Sequence, residues 1–444
     1  MTQAPRDDSP RFGFAGVRRA LRHRDHFLFA AGMAPSLITL WMQRLAVGWL
    51  TWELTHSPAW LGIIAFADLF PSVVLSPLAG ALIDRVDPMR PMVLCQIVFL
   101  VQALILAVLS FAGLITIEIL LALELLLGLT HPFNTASRYT ILPSLVPRAD
   151  LSVTIAINSS LYNVARFIGP AAAGAVIVIG GVSWAFAGNV LGYLVFLLAL
   201  FRMDVAPPER RERSKAGLFG DIAEGWRYTV AHPGIRPVLV LLVITAVVSR
   251  PVVDLLPGFA GDVFHRGAGG LAWLTAAMGL GAMLGALWLT LRGALTGLTT
   301  ITITAVLFLA LALLAFTATD NFFLALVFLA LSGFAMVVNG IGSQTLIQSS
   351  VTSAMRGRVM SLYALIYRGM PALGAVGMGW LAEGFGLPAT LGGGAVLCLI
   401  AWGWAARRRR VHLPGLWPDR RWRPFRRRAG APPFPRPRPA TGIR

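Results

Sequence analysis

Charge is scarce in this chain, and lysine and cysteine are scarcer. Charged residues make up 13% of 444, Lys215 is the sole lysine, and cysteine occurs only as Cys95 and Cys398. Two cysteines far apart in apolar stretches give neither a disulfide framework nor metal-ligand spacing, and read as small core residues. No phosphate-binding loop, paired-histidine zinc motif or serine elbow is present, so no enzyme is expected, and neither a cofactor nor a metal. The seven histidines fall mostly in loops, with His131 read at a helix end beside Pro132. Nor is a cleavable leader expected, because the polar, arginine-rich first 26 residues run into an apolar stretch of full span length.

What is abundant is apolar length. With 56% hydrophobic residues and a mean hydropathy of +0.71, the polar surface cannot cover a soluble globule. A helix needs about 20 apolar residues to cross the hydrocarbon core. Twelve such runs can be drawn, at 27–52, 58–80, 91–112, 115–134, 151–179, 183–201, 236–262, 269–291, 297–317, 321–343, 356–382 and 387–406. The net charge of +18 would suggest nucleic acid in a soluble protein. Here the arginines crowd alternate loops: Arg18, Arg19, Arg22 and Arg24, then Arg85 and Arg90, Arg138 and Arg148, Arg210 to Lys215, Arg356 and Arg358, and Arg407 to Arg410. The opposite loops carry Glu53, His56, Asp320 and Glu383, with Arg266 the single basic exception. By the positive-inside rule both termini are cytoplasmic, in a multi-pass protein of the bacterial inner membrane with no nucleic-acid partner.

The widest polar break, with Pro207 and Pro208, divides the chain into a cytoplasmic segment 1–26, a six-helix bundle 27–202, a connector 203–235, a second bundle 236–406 and a basic tail 407–444. Within the connector Leu218, Phe219, Ile222, Trp226 and Tyr228 form part of an apolar helical face, suited either to the membrane surface or to a packed connector helix without lipid contact. The arginine- and proline-rich tail cannot bury a core and is suited to anionic lipid, which makes membrane lipids an expected partner. The two bundles share an internal echo. Ser160, Leu161, Tyr162, Pro170 and Ala171 recur as Ser361, Leu362, Tyr363, Pro371 and Ala372, about two hundred residues on, with Arg166 and Arg368 one position out of register. Paired halves are how many secondary transporters are built.

Between the second and third runs the sequence reads GALIDRVDPMRP, from Gly80 to Pro91. Gly80 allows close helix approach, and an acid beside an arginine at a short inter-helix loop can pair with a neighbouring helix end. The string resembles the loop signature of the major facilitator superfamily, matching at Gly80, Leu82, Asp84, Arg85 and Arg90, with Asp87 where glycine is usual. WMQRLAVGWLTWELTHSP from Trp41, NVARFIGPAAAG from Asn163 and RPVVDLLPGFA from Arg250 are similar to its branch of enterobactin exporters and multidrug efflux proteins. Gly169, Pro170 and Gly174 resemble the fifth-helix antiporter motif, with Ala173 replacing one glycine of its closing pair. The equivalent loop of the second half, Arg292 to Gly297, has lost its acid. The resemblance covers about residues 20–406. It implies an all-α membrane protein of twelve transmembrane helices in two pseudo-twofold-related six-helix bundles, working as a monomer to export a small molecule. It further implies that Asp84, Arg85 and Arg90 stabilise one conformer at the cytoplasmic gate, while Gly169 and Pro170 shape packing that limits leak.

An ionisable side chain near the bilayer centre costs roughly 2.5–3.5 kcal/mol on insertion scales, so it faces a partner or a watery cavity. Asp68, Glu124, Arg166, Arg250, Asp254 and Arg368 lie within spans, and Arg44 toward the outer part of the first; spans three, six, nine and twelve have none. That partition matches the family arrangement, in which those four face lipid. A carboxylate in a low-dielectric cavity has its neutral form favoured, which makes Asp68, Glu124 and Asp254 candidate proton carriers. Arg166 is expected to pair with Asp68 or Glu124 as a structural tie, and Arg250 and Asp254, four apart, either neutralise each other along one helix face or serve transport. Gln43, Arg44, Asn163, Asn339 and Gln344 are candidate substrate contacts among aromatics such as Trp41, Tyr162 and Tyr367. The reading is proton-driven export of a small amphipathic organic molecule by alternating access. The alternatives are a lipid or lysophospholipid flippase of the same fold and a transport-inactive sensor or assembly partner.

Overall fold

The computed structural model describes residues 14–205, 226–230, 232, 235–293 and 296–412. The connector face drawn through Leu218 to Ile222 and most of the basic tail lie outside these residues. After a short α1 (Phe14–Ala20) come α2 (Arg24–Thr55), α3 (Pro58–Ile83), α4 (Met89–Phe111), α5 (Ile117–Ile141), α6 (Leu151–Gly180) and α7 (Val182–Phe201). The second half holds α8 (Ile235–Val248), α9 (Val252–Gly258), α10 (Gly267–Arg292), α11 (Leu298–Thr317), α12 (Phe322–Ser350), α13 (Ser353–Phe385) and α14 (Leu387–His412). A π-helical turn, Phe259–Val263, carries α9 onward, so α8, α9 and this turn form one crossing, Ile235–Val263.

Eleven of these crossings are apolar and long enough to span a bilayer. The twelfth, α2, has 32 residues, but Arg24, Asp25, Gln43, Arg44 and Glu53 dilute its hydropathy. Starts follow local chemistry. Ser57 and Thr116 cap α3 and α5 by accepting from the backbone N–H of Trp60 and Ile119, and Asn321 caps α12 through Phe323 and Leu324. In each half the last two helices are joined by one glycine, Gly181 at φ 84° and Gly386 at φ 80°, a backbone region that a side chain would strain.

The packing repeats between halves. In the first, α2 packs on α6 and α7, α3 on α5, and α4 on α5 and α7; in the second, α8 packs on α13 and α14, α10 on α12, and α11 on α12 and α14. Across the halves α3 meets α13 and α6 meets α10, again a reciprocal pair. This is the pseudo-twofold arrangement of two six-helix bundles. The helices α4, α7, α11 and α14, whose only charges are arginines at the ends of α4 and α14, present exposed apolar side chains such as Leu94, Leu191, Phe308 and Leu397, as lipid-facing helices must.

The two ends of the bundle differ. At the end of the acidic loops, called here the far end, one core holds residues of both halves, among them Trp52, Leu61 and Ile177 with Phe259, Leu274 and Met378. Toward the arginine-rich loops, the basic end, the cores separate: Phe29, Met33, Ile141 and Leu200 in one half, Leu239, Leu346, Val359 and Leu362 in the other. Polar contacts agree, since Ser57 Oγ donates to Glu383 Oε2 at 2.8 Å across the far end. Along α3 and α13 the backbones are so close that a Cβ on Gly62 would strike the Ala375 carbonyl, and contact persists to Gly369 against Val73. Beyond that point Val74, Leu78 and Leu365 are exposed. The molecule is closed at the far end and open at the basic end.

Candidate functional site: a charged central cavity

Between the halves lies a cavity of about 380 Å³, continuous toward the far end with a smaller chamber of about 110 Å³. Both are lined by Trp41, Arg44, Asp68, Glu124, Arg166 and Asp254. The intramembrane charges thus converge on one space, brought there by α2, α3, α5, α6 and α9.

Its centre is Arg44. Its Nη2 lies 3.4 Å from Asp68 Oδ2 on α3 and 3.8 Å from Asp254 Oδ1 on α9, so one guanidinium serves two carboxylates and ties one half to the other. His131 Nε2 lies 3.7 Å from the other oxygen of Asp68. Glu124 is almost fully buried in the same wall, and its Oε1 has no hydrogen-bond partner among the described residues. Arg44 thus serves two of the three acids, while Glu124 has no cationic side chain within 4.0 Å among the described residues.

The sequence-based pairings need correction. Arg250 and Asp254 do not neutralise each other: α8 stops at Val248 and α9 begins after Pro251, so their four-residue spacing does not run along one helix face. Arg250 instead lies flat on Tyr367, 3.4 Å from the ring centroid, and Asp254 turns to Arg44. Arg166 forms no ion pair within 4.0 Å with Asp68 or Glu124; it sits over Trp41 at 5.4 Å, and Arg44 lies 5.6 Å from the same ring. Arg44 belongs to the cavity centre rather than the outer part of its span. His131 was missed because Pro132 reads as a helix end, yet α5 continues through it to Ile141.

Of the proposed substrate contacts, Arg44 and Gln43 line the cavity. Gln43 is buried and engaged: its Nε2 donates to Gln102 Oε1 at 3.2 Å, and Asn189 Nδ2 donates to its Oε1, so it ties α2 to α4 and α7. Asn339 donates to the Thr302 carbonyl between α12 and α11. Asn163 donates to its own helix at Ser159. Neither these two nor the exposed Gln344 is among the cavity-lining residues. Arg368 does line the cavity, as do Tyr162 and Pro371.

At the basic end, Asp84 and Arg85 are exposed, and among the described residues Arg90 pairs with Asp87 alone, at 3.9 Å. A side chain at Gly80 would meet nothing, so the close approach that glycine permits is not made in this open state. Gly169 is used: a Cβ there would collide with Trp41 and the Ile38 carbonyl, so it sets the α2–α6 contact beside Pro170.

Twelve crossings in two reciprocal bundles around a charged cavity define a major facilitator transporter. The family profile described as "Transmembrane secretion effector" matches residues 21–416, and the chain belongs to that family. It is a multi-pass membrane transporter, not an enzyme. Among its relatives, the enterobactin exporter EntS of Escherichia coli is 28% identical over 373 residues, 79% of this chain and 86% of that protein. The multidrug efflux pump Tap of Mycolicibacterium fortuitum is 24% identical over 355 residues, 78% and 86%. The staphyloferrin A transporter of Staphylococcus aureus is 29% identical over 160 residues, 36% of this chain and 40% of that one. In fold the chain is similar to a bacterial homologue of the human lysosomal transporter Spinster in an inward-facing, unoccupied conformation (TM-score 0.69, 16% identity, 89% of this chain and 98% of that one). It is also similar to the nucleoside transporter NupG (TM-score 0.67, 12% identity, 86% and 98%).

Proposed function

We propose that the chain exports a small amphipathic organic molecule across the bacterial inner membrane by alternating access, in exchange for protons. The basic end is cytoplasmic, both termini are cytoplasmic, and the state described above is the one that loads from inside. The segments 27–202 and 236–406 are the two moving bodies of a monomer. Relatives named as exporters and efflux pumps support the direction of transport.

The observation that carries proton coupling is the bridge from Arg44 to Asp68 in its own half and Asp254 in the other. A proton on Asp254 removes the charge that holds Arg44 across the cavity, leaving Arg44 to Asp68 and loosening the tie between halves. Loss of that proton re-forms the tie. Glu124 and His131 flank Asp68 and take or relay its proton. The bridge is reversible because it is made in a space that water reaches.

The test is accumulation of a fluorescent dye in inverted vesicles under an imposed pH gradient, with ethidium and a carboxylate dye run in parallel. Whichever dye moves should accumulate only while the gradient lasts, and Asp254→Asn should abolish the dependence. Accumulation that ignores gradient collapse would remove the proton from the mechanism.

A further inference from the structure

Four arginines line the larger cavity, and the acids engage only one. Arg44 is held by Asp68 and Asp254, whereas Arg166, Arg250 and Arg368 have no carboxylate within 4.0 Å among the described residues. With every acid ionised the lining carries four positive charges against three negative, and each proton taken up adds one more positive charge. The positive side chains are also held in place. Arg250 stacks on Tyr367, Tyr367 stacks on Tyr363 at 5.4 Å, and Tyr363 donates to the Gly340 carbonyl at 3.2 Å, so the stack is anchored to α12. In the other half Arg166 lies over Trp41, which Tyr162 braces edge-on at 6.1 Å.

A guanidinium laid flat on an aromatic ring keeps its in-plane N–H donors free and aimed outward. The Arg250–Tyr367 stack in one half, and in the other Arg166 over Trp41 with its guanidinium carbon 5.4 Å from the ring centroid, both line a space of about 380 Å³. That geometry suits planar acidic groups, which accept two parallel hydrogen bonds from a guanidinium, carried on an aromatic or apolar body that packs against the rings. It disfavours a lipophilic cation, which would enter beside three unneutralised guanidinium groups.

We propose that the transported substrate is a small organic anion with an aromatic or apolar body, bound between the Arg250–Tyr367 and Arg166–Trp41 platforms with Arg368 at the mouth. This rests on the transport reading above and names its substrate class. Lysophospholipid with an anionic headgroup shares the chemistry, and the geometry favours the small molecule because both arginine–ring pairs line one cavity of about 380 Å³ between the halves.

The full-length protein in phosphatidylcholine nanodiscs is titrated with dansyl-glutamate and dansylcadaverine, which share a fluorophore and differ in the sign of the tail. Dansyl-glutamate should bind at least about tenfold more tightly, the worth of one charge-assisted hydrogen bond. The pair Arg250→Gln with Arg368→Gln should erase that margin, while exposed Arg227→Gln, outside the cavity, should not. Equal or tighter binding of dansylcadaverine overturns the proposal. So does unchanged dansyl-glutamate affinity in a double variant that remains monodisperse with an unshifted melting temperature. Thermal stabilisation by lysophosphatidylglycerol without any dansyl-glutamate binding overturns it in favour of a lipid. Gradient-driven export of ethidium alone would remove the anion and leave the transport reading intact.

Discussion

A guanidinium shared by two carboxylates is worth more than either contact alone, because removing it leaves two acids facing each other. Arg44→Gln is therefore expected to destabilise the protein by about 1–3 kcal/mol, less than the loss for a fully buried pair because the cavity admits water. The measurement is a melting temperature in detergent. Asp254→Asn in the same chain should recover part of the loss, and strictly additive effects in the double-mutant cycle would show that the bridge is not energetically real. At this scale the acids were legible in sequence, since Asp68, Glu124 and Asp254 stand out in apolar runs. Their partners were not. Spacing along one helix suggested Arg250 for Asp254, but Pro251 interrupts that helix. The true partner, Arg44, lies 210 residues earlier in the chain, and only tertiary packing brings it there. Asn339, Asn163 and Gln344 looked like cavity residues because polarity in a span attracts suspicion. Asn339 and Asn163 instead satisfy backbone carbonyls of their own bundle, and Gln344 is exposed outside the lining.

Elements here meet through small residues. The α3–α13 seam closes through glycines that let backbone approach, Gly62 against the Ala375 carbonyl and Gly379 against the Pro58 carbonyl. Gly62→Val adds bulk where the neighbour is backbone and cannot yield, an overpacking cost of about 1–3 kcal/mol against the closed far end. Far-end cysteine labels should react faster in this variant, and unchanged labelling would show that the seam tolerates the bulk. A second element-level contact involves α1. Arg19 Nε donates to Asp150 Oδ1 at 2.6 Å, and His23 Nε2 lies 3.1 Å from Oδ2, which pins α1 to the turn before α6. Asp150→Ala should release it, seen as amide exchange several-fold faster across 14–23 with protection of α6 retained. Helix existence and order were legible from length and hydropathy. The break in the seventh crossing was not drawn, although Ser249, Arg250 and Pro251 interrupt its apolar run, because the apolar residues on either side add up to one full span, and neither was the role of Gly80, whose neighbour is absent in this conformer.

For the whole molecule, the repeat between Ser160 and Ser361 foretold the reciprocal packing of the halves, but no sequence pattern indicates which end is open. That depends on a balance of two interfaces, only one of which is formed at a time. Spin labels at Val74 and Leu365, on opposite halves near the basic end, should report a wide separation at rest. A shorter population should grow on acidification if protons drive closure. A single distance at every pH would mean that the basic end does not move with protonation.

The far-end core that joins Trp52, Phe259 and Met378 must come apart on every turnover and be rebuilt on the next. Evolution therefore cannot have optimised it as tightly as an ordinary protein interior. Along this seam, resistance to heat and speed of export should oppose one another, so substitutions selected for a hardier protein would give slower pumps.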